Sequence, residues 1–230
     1  MDFPALAAGL ARVRGVVAER QQRAGLAHDV RIVAVTKTHG PDAVRAAFGG
    51  GLRDVGENRV QEALPKQDAT SELSLNWHLI GGLQRNKARQ AVGRFALIHS
   101  VDRLDLAREL DRRVPAGGRQ QVLVQVNCSA EPQKGGVAPE GLPDLLDAMA
   151  SLARLEVRGL MTMAAYDADE ATRHRTFAVL RKLRDAAERR GAALPELSMG
   201  MSDDYAEAVE EGATIIRLGT ALFGERDAGQ

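Results

Sequence analysis

The chain has 230 residues, which suits one well-packed domain, and we expect a single domain over residues 1–230. Its 31 basic and 31 acidic side chains balance, which argues against a nucleic-acid-binding protein and against a polyanionic tail. The single cysteine, Cys128, excludes an internal disulfide framework, and no apolar run approaches the roughly 20 residues that a membrane span needs.

The first element in chain order is an amphipathic helix near the N-terminus. Apolar residues recur there at helical spacing, and Arg12, Arg14 and Glu19 interrupt them. A signal peptide would instead show a basic segment followed by an unbroken apolar core. We therefore expect a cytoplasmic protein that binds neither nucleic acid nor membrane.

Strand-like and helix-like segments alternate along the rest of the chain. Eight short runs rich in β-branched and aliphatic residues predict strands at 31–37, 53–58, 76–81, 95–101, 121–127, 155–163, 196–200 and 214–219. The helical patterns between them lie at 41–48, 59–68, 84–91, 102–113, 139–150, 168–191 and 203–211. Nearly continuous apolar strands that alternate with helices predict a parallel sheet built from right-handed crossovers.

The number of βα units favours an α/β fold of one particular type, the (β/α)8 barrel, which typically takes about 250 residues. A doubly wound open sheet is the alternative. That architecture usually places a glycine-rich turn after its first strand, but the turn here, TKTHGPD at 36–42, has no G-x-G-x-x-G pattern. A dinucleotide-binding fold is therefore disfavoured.

Lys37 ends the first predicted strand, whose interior is apolar. In a regular strand it would share one side with Val33 and Val35 and lie at the mouth of the barrel. A lysine beside apolar surface loses hydration of its ammonium form, and the neutral amine can attack an aldehyde to form a Schiff base. A lysine that extends into solvent, or that pairs with Glu57, is the plainer interpretation and stays open.

The ends of the last two predicted strands favour an anion site. Gly200 and Gly219 let backbone amides approach a ligand closely, and Ser198, Ser202 and Thr220 add hydroxyl donors. In (β/α)8 barrels the loops after strands seven and eight frequently hold a phosphate. Ordinary turn chemistry, in which glycines end strands and serines cap helices, explains the same residues.

An aldehyde-reactive lysine after the first strand and a phosphate site after the last two strands together suggest one cofactor. Pyridoxal 5′-phosphate (PLP) carries an aldehyde at one end and a phosphate at the other. An enzyme that acts on phosphosugars through a Schiff-base lysine, without a cofactor, is the alternative from a different class.

Six stretches resemble, in this order, the pyridoxal phosphate homeostasis proteins, which are single-domain relatives of the N-terminal barrel of alanine racemase. They are VAVTKTHG (33–40), VGENRVQEALPK (55–66), WHLIGGLQRNKAR (77–89), VQVNCSAEPQKGG (124–136), GLMTMAA (159–165) and LSMGMSDDYAEAVEEGATIIRLGTALFGER (197–226). The third and the last are highly specific. The resemblance implies a barrel of the alanine racemase N-terminal type with an extra N-terminal helix, and PLP held on Lys37 as a Schiff base.

The matched positions imply how the phosphate and the ring would be held. Ser198 or Ser202 would hold the phosphate together with the amides of Gly219 and Thr220. Arg217 matches an arginine that faces the pyridine nitrogen in the racemase barrel. Because a guanidinium can only donate hydrogen bonds, it would favour an unprotonated ring nitrogen and weaken the ring as an electron sink.

Two further positions complete the implied cofactor site. Asn58 would lie near the ring hydroxyl, and His78 would form part of the wall. For His78, a core histidine whose hydrogen bonds are satisfied by the backbone is an equally open interpretation. Met161 fits core packing better than cofactor contact. The sequence shows no metal-ligand spacing, and no catalytic residue is assigned.

The family resemblance favours a carrier that keeps free PLP low and delivers it to PLP-dependent apoenzymes, working as a monomer. The alternative is a PLP-dependent amino-acid racemase. Racemases of the related fold use, as a second base, a tyrosine from an additional β-domain, whereas this chain stops at Gln230, just after the eighth predicted strand. We expect its two tyrosines, Tyr166 and Tyr205, to be packing or solvent-edge residues.

Overall fold

A computed structural model describes residues 3–129, 131 and 134–224, and within them eight parallel strands close into a barrel. The strands follow one another around the barrel in chain order: β1 (Arg31–Val35), β2 (Asp54–Glu57), β3 (Asn76–Leu79), β4 (Leu97–Val101), β5 (Gln120–Gln125), β6 (Leu155–Met161), β7 (Glu196–Ser198) and β8 (Ile215–Leu218). The barrel closes where β1 pairs with β8, with Val33 opposite Arg217. The predicted (β/α)8 barrel is confirmed.

Helices cover the outside of the barrel. They are α1 (Ala5–Ala24), α2 (Pro41–Gly49), α3 (Val60–Ala69), α4 (Ala88–Ala91), α5 (Leu104–Arg113), α6 (Leu142–Met149), α7 (Glu170–Arg189), α8 (Tyr205–Glu210) and α9 (Thr220–Phe223). Short 3-10 helices at Arg85–Lys87 and Pro139–Gly141 lead directly into α4 and α6. Most predicted strands are one to two residues too long at their ends, where they include turn residues such as Lys37, Asn58 and Gly219.

The strands bury side chains on both of their faces. One apolar layer fills the space between the strands and the helices and includes Ala34 and Val55. A smaller apolar cluster lies inside the barrel and consists of Val33, Leu97, Leu123, Met161 and Ile215, with Met163 packed against it. The position of Met161 in this cluster agrees with the core packing that the sequence favoured. Alternation along the strands separates these two layers.

The N-terminal helix packs against the helices that precede and follow β8 in the chain. Leu6, Leu10 and Val13 are buried at the spacing of an amphipathic helix, and α1 contacts α8 and α9. The expected extra N-terminal helix is confirmed. Across the described ranges, no helix combines the length and the apolarity needed to cross a bilayer.

Candidate functional site

Lys37 lies in the turn that follows β1, two residues beyond the end of the strand. The backbone amide of Thr36 still bonds to β2 at 3.1 Å, and Thr38 then turns the chain with a left-handed φ of 68°. The side chain of Lys37 is exposed, so the expectation of apolar surroundings for its amine was wrong. Side chains alternate between the two faces of a strand, and Thr36 points outward to Glu57. Lys37 therefore starts on the same side as Val33, which faces the barrel interior.

The alternative in which Lys37 pairs with Glu57 is also wrong, because Lys66 occupies that carboxylate. Lys66 Nζ lies 2.6 Å from Glu57 Oε1 and donates to the carbonyl oxygen of Thr36 at 2.8 Å. Thr36 Oγ1 donates to the same Glu57 oxygen at 2.6 Å. Among the residues that the structure describes, no hydrogen bond or ion pair involves Lys37, so its amine is available to a ligand.

The loops after β7 and β8 meet at Ser202. Its Oγ accepts hydrogen bonds from the backbone amides of Gly219 (3.3 Å) and Ala221 (3.1 Å). Ser202 is half-buried, and Thr220, the first residue of α9, is exposed between these two amides. The structure thus brings together the predicted residues Ser202, Gly219 and Thr220 at the carboxyl ends of two neighbouring strands, which is where a phosphate is commonly bound in this fold.

Gly200 shapes the loop that carries Ser202. Its φ of 94° lies in the left-handed region, and a Cβ at this position would lie 2.7 Å from Ala208 Cβ. Both observations require glycine here, since an L side chain would strain the backbone and collide with α8. The sequence analysis selected Gly200 because a glycine lets backbone amides approach a ligand. The structure instead shows that glycine is needed here because α8 packs closely against this position.

Ser198 lies deeper than Ser202 and has protein partners. It is fully buried in β7, where its Oγ accepts a hydrogen bond from Arg217 Nη1 at 2.7 Å and lies 2.9 Å from His99 Nδ1. Because these contacts engage the hydroxyl inside the barrel, the geometry favours Ser202 over Ser198 as a phosphate ligand. The sequence alone left this choice open.

Arg217 is a buried cation near the carboxyl end of β8. Its Nη2 donates to the carbonyl oxygen of Thr162 at 3.0 Å, and with the bond to Ser198 this uses two of its five N–H groups. Burial lowers the pKa of Arg217 to about 10, while the nearby carboxylate of Asp204 acts in the opposite direction. The guanidinium therefore stays charged at neutral pH and keeps N–H groups for a further acceptor.

His78 does not join the residues at the mouth. It is 1% exposed, and its Nδ1 lies 2.9 Å from His99 Nε2 while its Nε2 lies 2.9 Å from Asp54 Oδ1. Both ring nitrogens thus have side-chain partners inside the barrel, not the backbone partners of the plainer interpretation, and we remove His78 from the predicted cofactor ligands. Sequence reasoning did not pair His78 with His99 or Asp54, because the register of the neighbouring strands β2, β3 and β4 brings these side chains together and no local pattern specifies it.

Asn58 lies at the mouth, where the loops after β2 and β3 pack against each other. It is half-buried, and a Cβ at Gly81 would lie 2.3 Å from the Asn58 carbonyl oxygen. Only glycine at position 81 allows this approach, because the atom in the way belongs to the backbone. Asn58 is therefore held at the rim by the neighbouring loop.

Comparisons with known proteins agree with this geometry. Residues 10–227 match the family model described as the N-terminal domain of alanine racemase. A pyridoxal phosphate homeostasis protein of Pseudomonas aeruginosa is 46% identical over 226 residues, which cover 97% of this chain and 97% of that protein. The chain belongs to the pyridoxal phosphate homeostasis protein family. A second member of this family, from Aquifex aeolicus, is 44% identical over 220 residues and 94% of this chain.

Solved structures extend the likeness to three dimensions. PipY of Synechococcus elongatus, solved with PLP bound, is 41% identical with a TM-score of 0.80, covering 90% of this chain and 100% of PipY. Alanine racemase from Corynebacterium glutamicum has a TM-score of 0.74 at 18% identity, covering 100% of this chain and 64% of the racemase. The racemase supports the barrel fold, and the family is supported by the closer relatives.

Proposed function

We propose that this protein binds PLP at the mouth of the barrel and acts as a carrier and buffer of the cofactor. The supporting observation is the adjacency of two groups: the unpaired amine of Lys37 follows β1, and the backbone amides that we assign to the phosphate follow β8, where that of Gly219 now donates to Ser202 Oγ. These strands are direct neighbours, and Ala34 of β1 lies opposite Leu218 of β8. Lys37 comes three residues after Ala34, and Thr220 comes two residues after Leu218, so both follow the same point of the barrel. Relatives named for PLP, and PipY solved with PLP bound, support the same cofactor.

The chemistry of the donor set fits PLP at each end of the molecule. Lys37 would bind the aldehyde carbon covalently, with loss of water, and Ser202 with the amides of Gly219 and Thr220 would bind the phosphate. Arg217 would donate to the pyridine nitrogen, and Asn58 would lie by the ring hydroxyl. When bound, PLP supplies an electron-accepting ring, and a guanidinium that is charged at neutral pH beside the nitrogen limits that capacity.

Two observations favour a carrier over an amino-acid racemase. Tyr166 is 86% exposed in the loop after β6, and Tyr205 lies on α8 near Arg12 and Arg20 of α1, on the outside of the barrel. Burial raises the pKa of Tyr205, which makes it a poorer base at neutral pH. Tyr205 is therefore directed away from the barrel interior, and Tyr166, although its loop is at the mouth end, is exposed to solvent and not packed against the site.

The central test is an absorbance titration of the protein with PLP, followed by borohydride reduction and peptide mapping. We expect an imine band in the wild type and a reduced adduct on Lys37. Lys37→Ala should lose the band and retain only weaker binding through the phosphate. Lys182→Ala removes an exposed lysine of α7 and is the matched control, with the band unchanged. A full imine band in Lys37→Ala would refute the assignment.

Inorganic phosphate tests the anion end separately. Ser202→Ala removes a hydroxyl, so we expect phosphate and PLP each to bind roughly tenfold more weakly, the effect of one hydrogen bond to a charged group. Ser151→Ala, which removes an exposed hydroxyl bonded to Ala148, is the control and should leave both affinities unchanged. Equal affinities in Ser202→Ala and wild type would place the phosphate elsewhere.

The carrier role has its own tests. Holo-protein mixed with an apo PLP enzyme should restore that enzyme's activity, and light scattering should find a monomer, in keeping with a cytoplasmic carrier. Incubation with alanine in D2O should give no α-proton exchange on a timescale of seconds. Rapid exchange would instead favour the racemase.

A further inference from the structure

A continuous series of hydrogen bonds runs through the barrel interior, from the region below the mouth towards the opposite end. We call it the interior chain, and it consists of Arg217, Ser198, His99, His78 and Asp54. Successive polar atoms along it are 2.7, 2.9, 2.9 and 2.9 Å apart. The middle three residues are at most 2% exposed, so water does not compete for their hydrogen bonds.

The two ends of the interior chain fix the direction of donation. Burial by itself raises the pKa of Asp54, but its hydrogen bond to His78 and the charges around it outweigh that effect and lower the pKa, so Asp54 is ionised and only accepts. At the other end, the Arg217 guanidinium only donates, so Ser198 Oγ accepts from it and keeps its own hydrogen to donate.

Between these ends, one arrangement of neutral histidines satisfies every contact. His78 must carry its proton on Nε2 to donate to Asp54, which leaves Nδ1 as an acceptor. His99 must then donate from Nε2 to His78, and its Nδ1 accepts the Ser198 hydroxyl proton. Every donor in the interior chain thus points from Arg217 towards Asp54.

One additional proton would break this order. A charged His78 would donate from Nδ1, so His99 would accept at Nε2 and donate from Nδ1 to Ser198. Ser198 Oγ would then receive two donors, and its hydroxyl has no other acceptor among the described residues. Burial and the cations Arg217 and Arg31 also hold the pKa of His99 well below its ordinary value.

We propose that the interior chain positions the Arg217 guanidinium and that both of its histidines are neutral with their protons on Nε2. Ser198 and the Thr162 carbonyl each hold one terminal nitrogen of the guanidinium, which fixes its plane. The remaining N–H groups are then oriented before a ligand arrives, which reduces the entropic cost of binding. The protonation states can be measured without any ligand, whereas the role towards the PLP ring rests on the proposed function.

The first test is 15N NMR of histidine side chains in the ligand-free protein at pH 7.5, with His78→Gln and His99→Gln used for assignment. We expect both imidazoles to be neutral and protonated on Nε2. An imidazolium at either position, or a His99 protonated on Nδ1, would overturn the proposal. If PLP does not bind the wild type, the proposed function fails, while these spectra still decide the order of the interior chain.

The second test compares two buried serines. Ser198→Ala removes the link between Arg217 and His99, whereas Ser100→Ala removes a hydroxyl that bonds to the Gly81 carbonyl outside the interior chain. Ser198→Ala should give His99 a mixture of tautomers and weaken PLP at least tenfold, with the affinity for inorganic phosphate unchanged. Ser100→Ala should leave the His99 tautomer as it is. An unchanged PLP affinity in Ser198→Ala would refute the positioning role.

Asp54 provides a test at the far end that does not depend on Ser198. Asp54→Asn keeps an oxygen that can accept from His78 Nε2, and it should preserve the tautomers of both histidines. Asp54→Leu removes the acceptor and should shift His78 towards protonation on Nδ1. Identical histidine spectra in the leucine variant and the wild type would show that the interior chain does not set the tautomers.

Discussion

Lys66 Nζ lies 2.6 Å from Glu57 Oε1, in an ion pair beneath the turn that carries Lys37. Glu57 is fully buried, and its other oxygen, Oε2, has no hydrogen-bond partner among the described residues. Both members of the pair also bond to Thr36, the residue before Lys37. The pair therefore holds the backbone from which the Lys37 side chain extends.

Removal of Lys66 should destabilise the protein strongly. Lys66→Met would leave the Glu57 carboxylate buried and unpaired, which typically costs about 3–5 kcal/mol. The change should appear as a lower midpoint of urea denaturation. Glu57→Gln combined with Lys66→Met should recover part of the loss, because no buried charge remains. Lys182→Met, on the exposed face of α7, should stay within about 0.5 kcal/mol of wild type. Equal midpoints for the two lysine variants would contradict this account.

Gly81 and Gly82 form a matched pair for testing the rim of the site. An alanine Cβ at position 81 would lie 2.3 Å from the Asn58 carbonyl oxygen, whereas one at position 82 would meet nothing within 4 Å. Gly81→Ala must displace a loop and should cost about 1–3 kcal/mol in the free energy of unfolding. Gly82→Ala should be nearly neutral. Similar denaturation curves for both variants would show that the loops after β2 and β3 separate easily.

The barrel could be predicted from the sequence because strand and helix patterns are local. Each strand, such as Arg31–Val35, is a short apolar run between turn residues, and the periodicity of its neighbours is helical. The surroundings of Lys37 could not be predicted in this way. The left-handed turn at Thr38 and the capture of Glu57 by Lys66, nine residues further on, depend on how a helix packs against two strands.

The same limit applies to the interior of the barrel. His78 is on β3, within a strand that the sequence pattern predicted, but its partners Asp54 and His99 come from neighbouring strands in a register that no local pattern specifies. That Ser202 and Gly219 lie together was easier to predict, since they are in the turns just after β7 and β8, and chain connectivity alone brings such turns to one end of a parallel barrel.

Cys128 should react slowly with alkylating reagents. Burial raises the pKa of its thiol from 9.0 to about 11, although a hydrogen bond with Thr162 partly offsets this. Since the thiolate is the nucleophile, two pKa units correspond to about a hundredfold lower thiolate fraction. The rate of iodoacetamide labelling at pH 8 should therefore rise by at least that factor when the protein is unfolded in urea. A folded protein that is labelled as fast as the unfolded one would show that the thiol is accessible and acidic.

His99 should make the protein less stable below neutral pH. Burial, together with the charge of Arg217, holds its pKa well below the ordinary value, whereas in the unfolded chain it titrates near 6.5. Below about pH 6.5 the unfolded state therefore binds a proton that the folded state does not, and the free energy of unfolding falls as the pH falls. One such group contributes up to about 1.4 kcal/mol per pH unit, until the pH reaches its folded-state pKa.

Well above pH 6.5 His99 is neutral in both states and should have no effect on the pH dependence. Urea denaturation at pH 7.5, 6.5 and 5.5 measures the slope directly. His99→Gln removes the titrating group but keeps an amide that can donate towards His78, so its stability should vary less steeply with pH than that of the wild type, although it is lower at pH 7.5. If the free energy of unfolding varied with pH equally in the variant and the wild type, His99 would take up a proton as readily in the folded protein as in the unfolded chain. The barrel interior would then accommodate the charge.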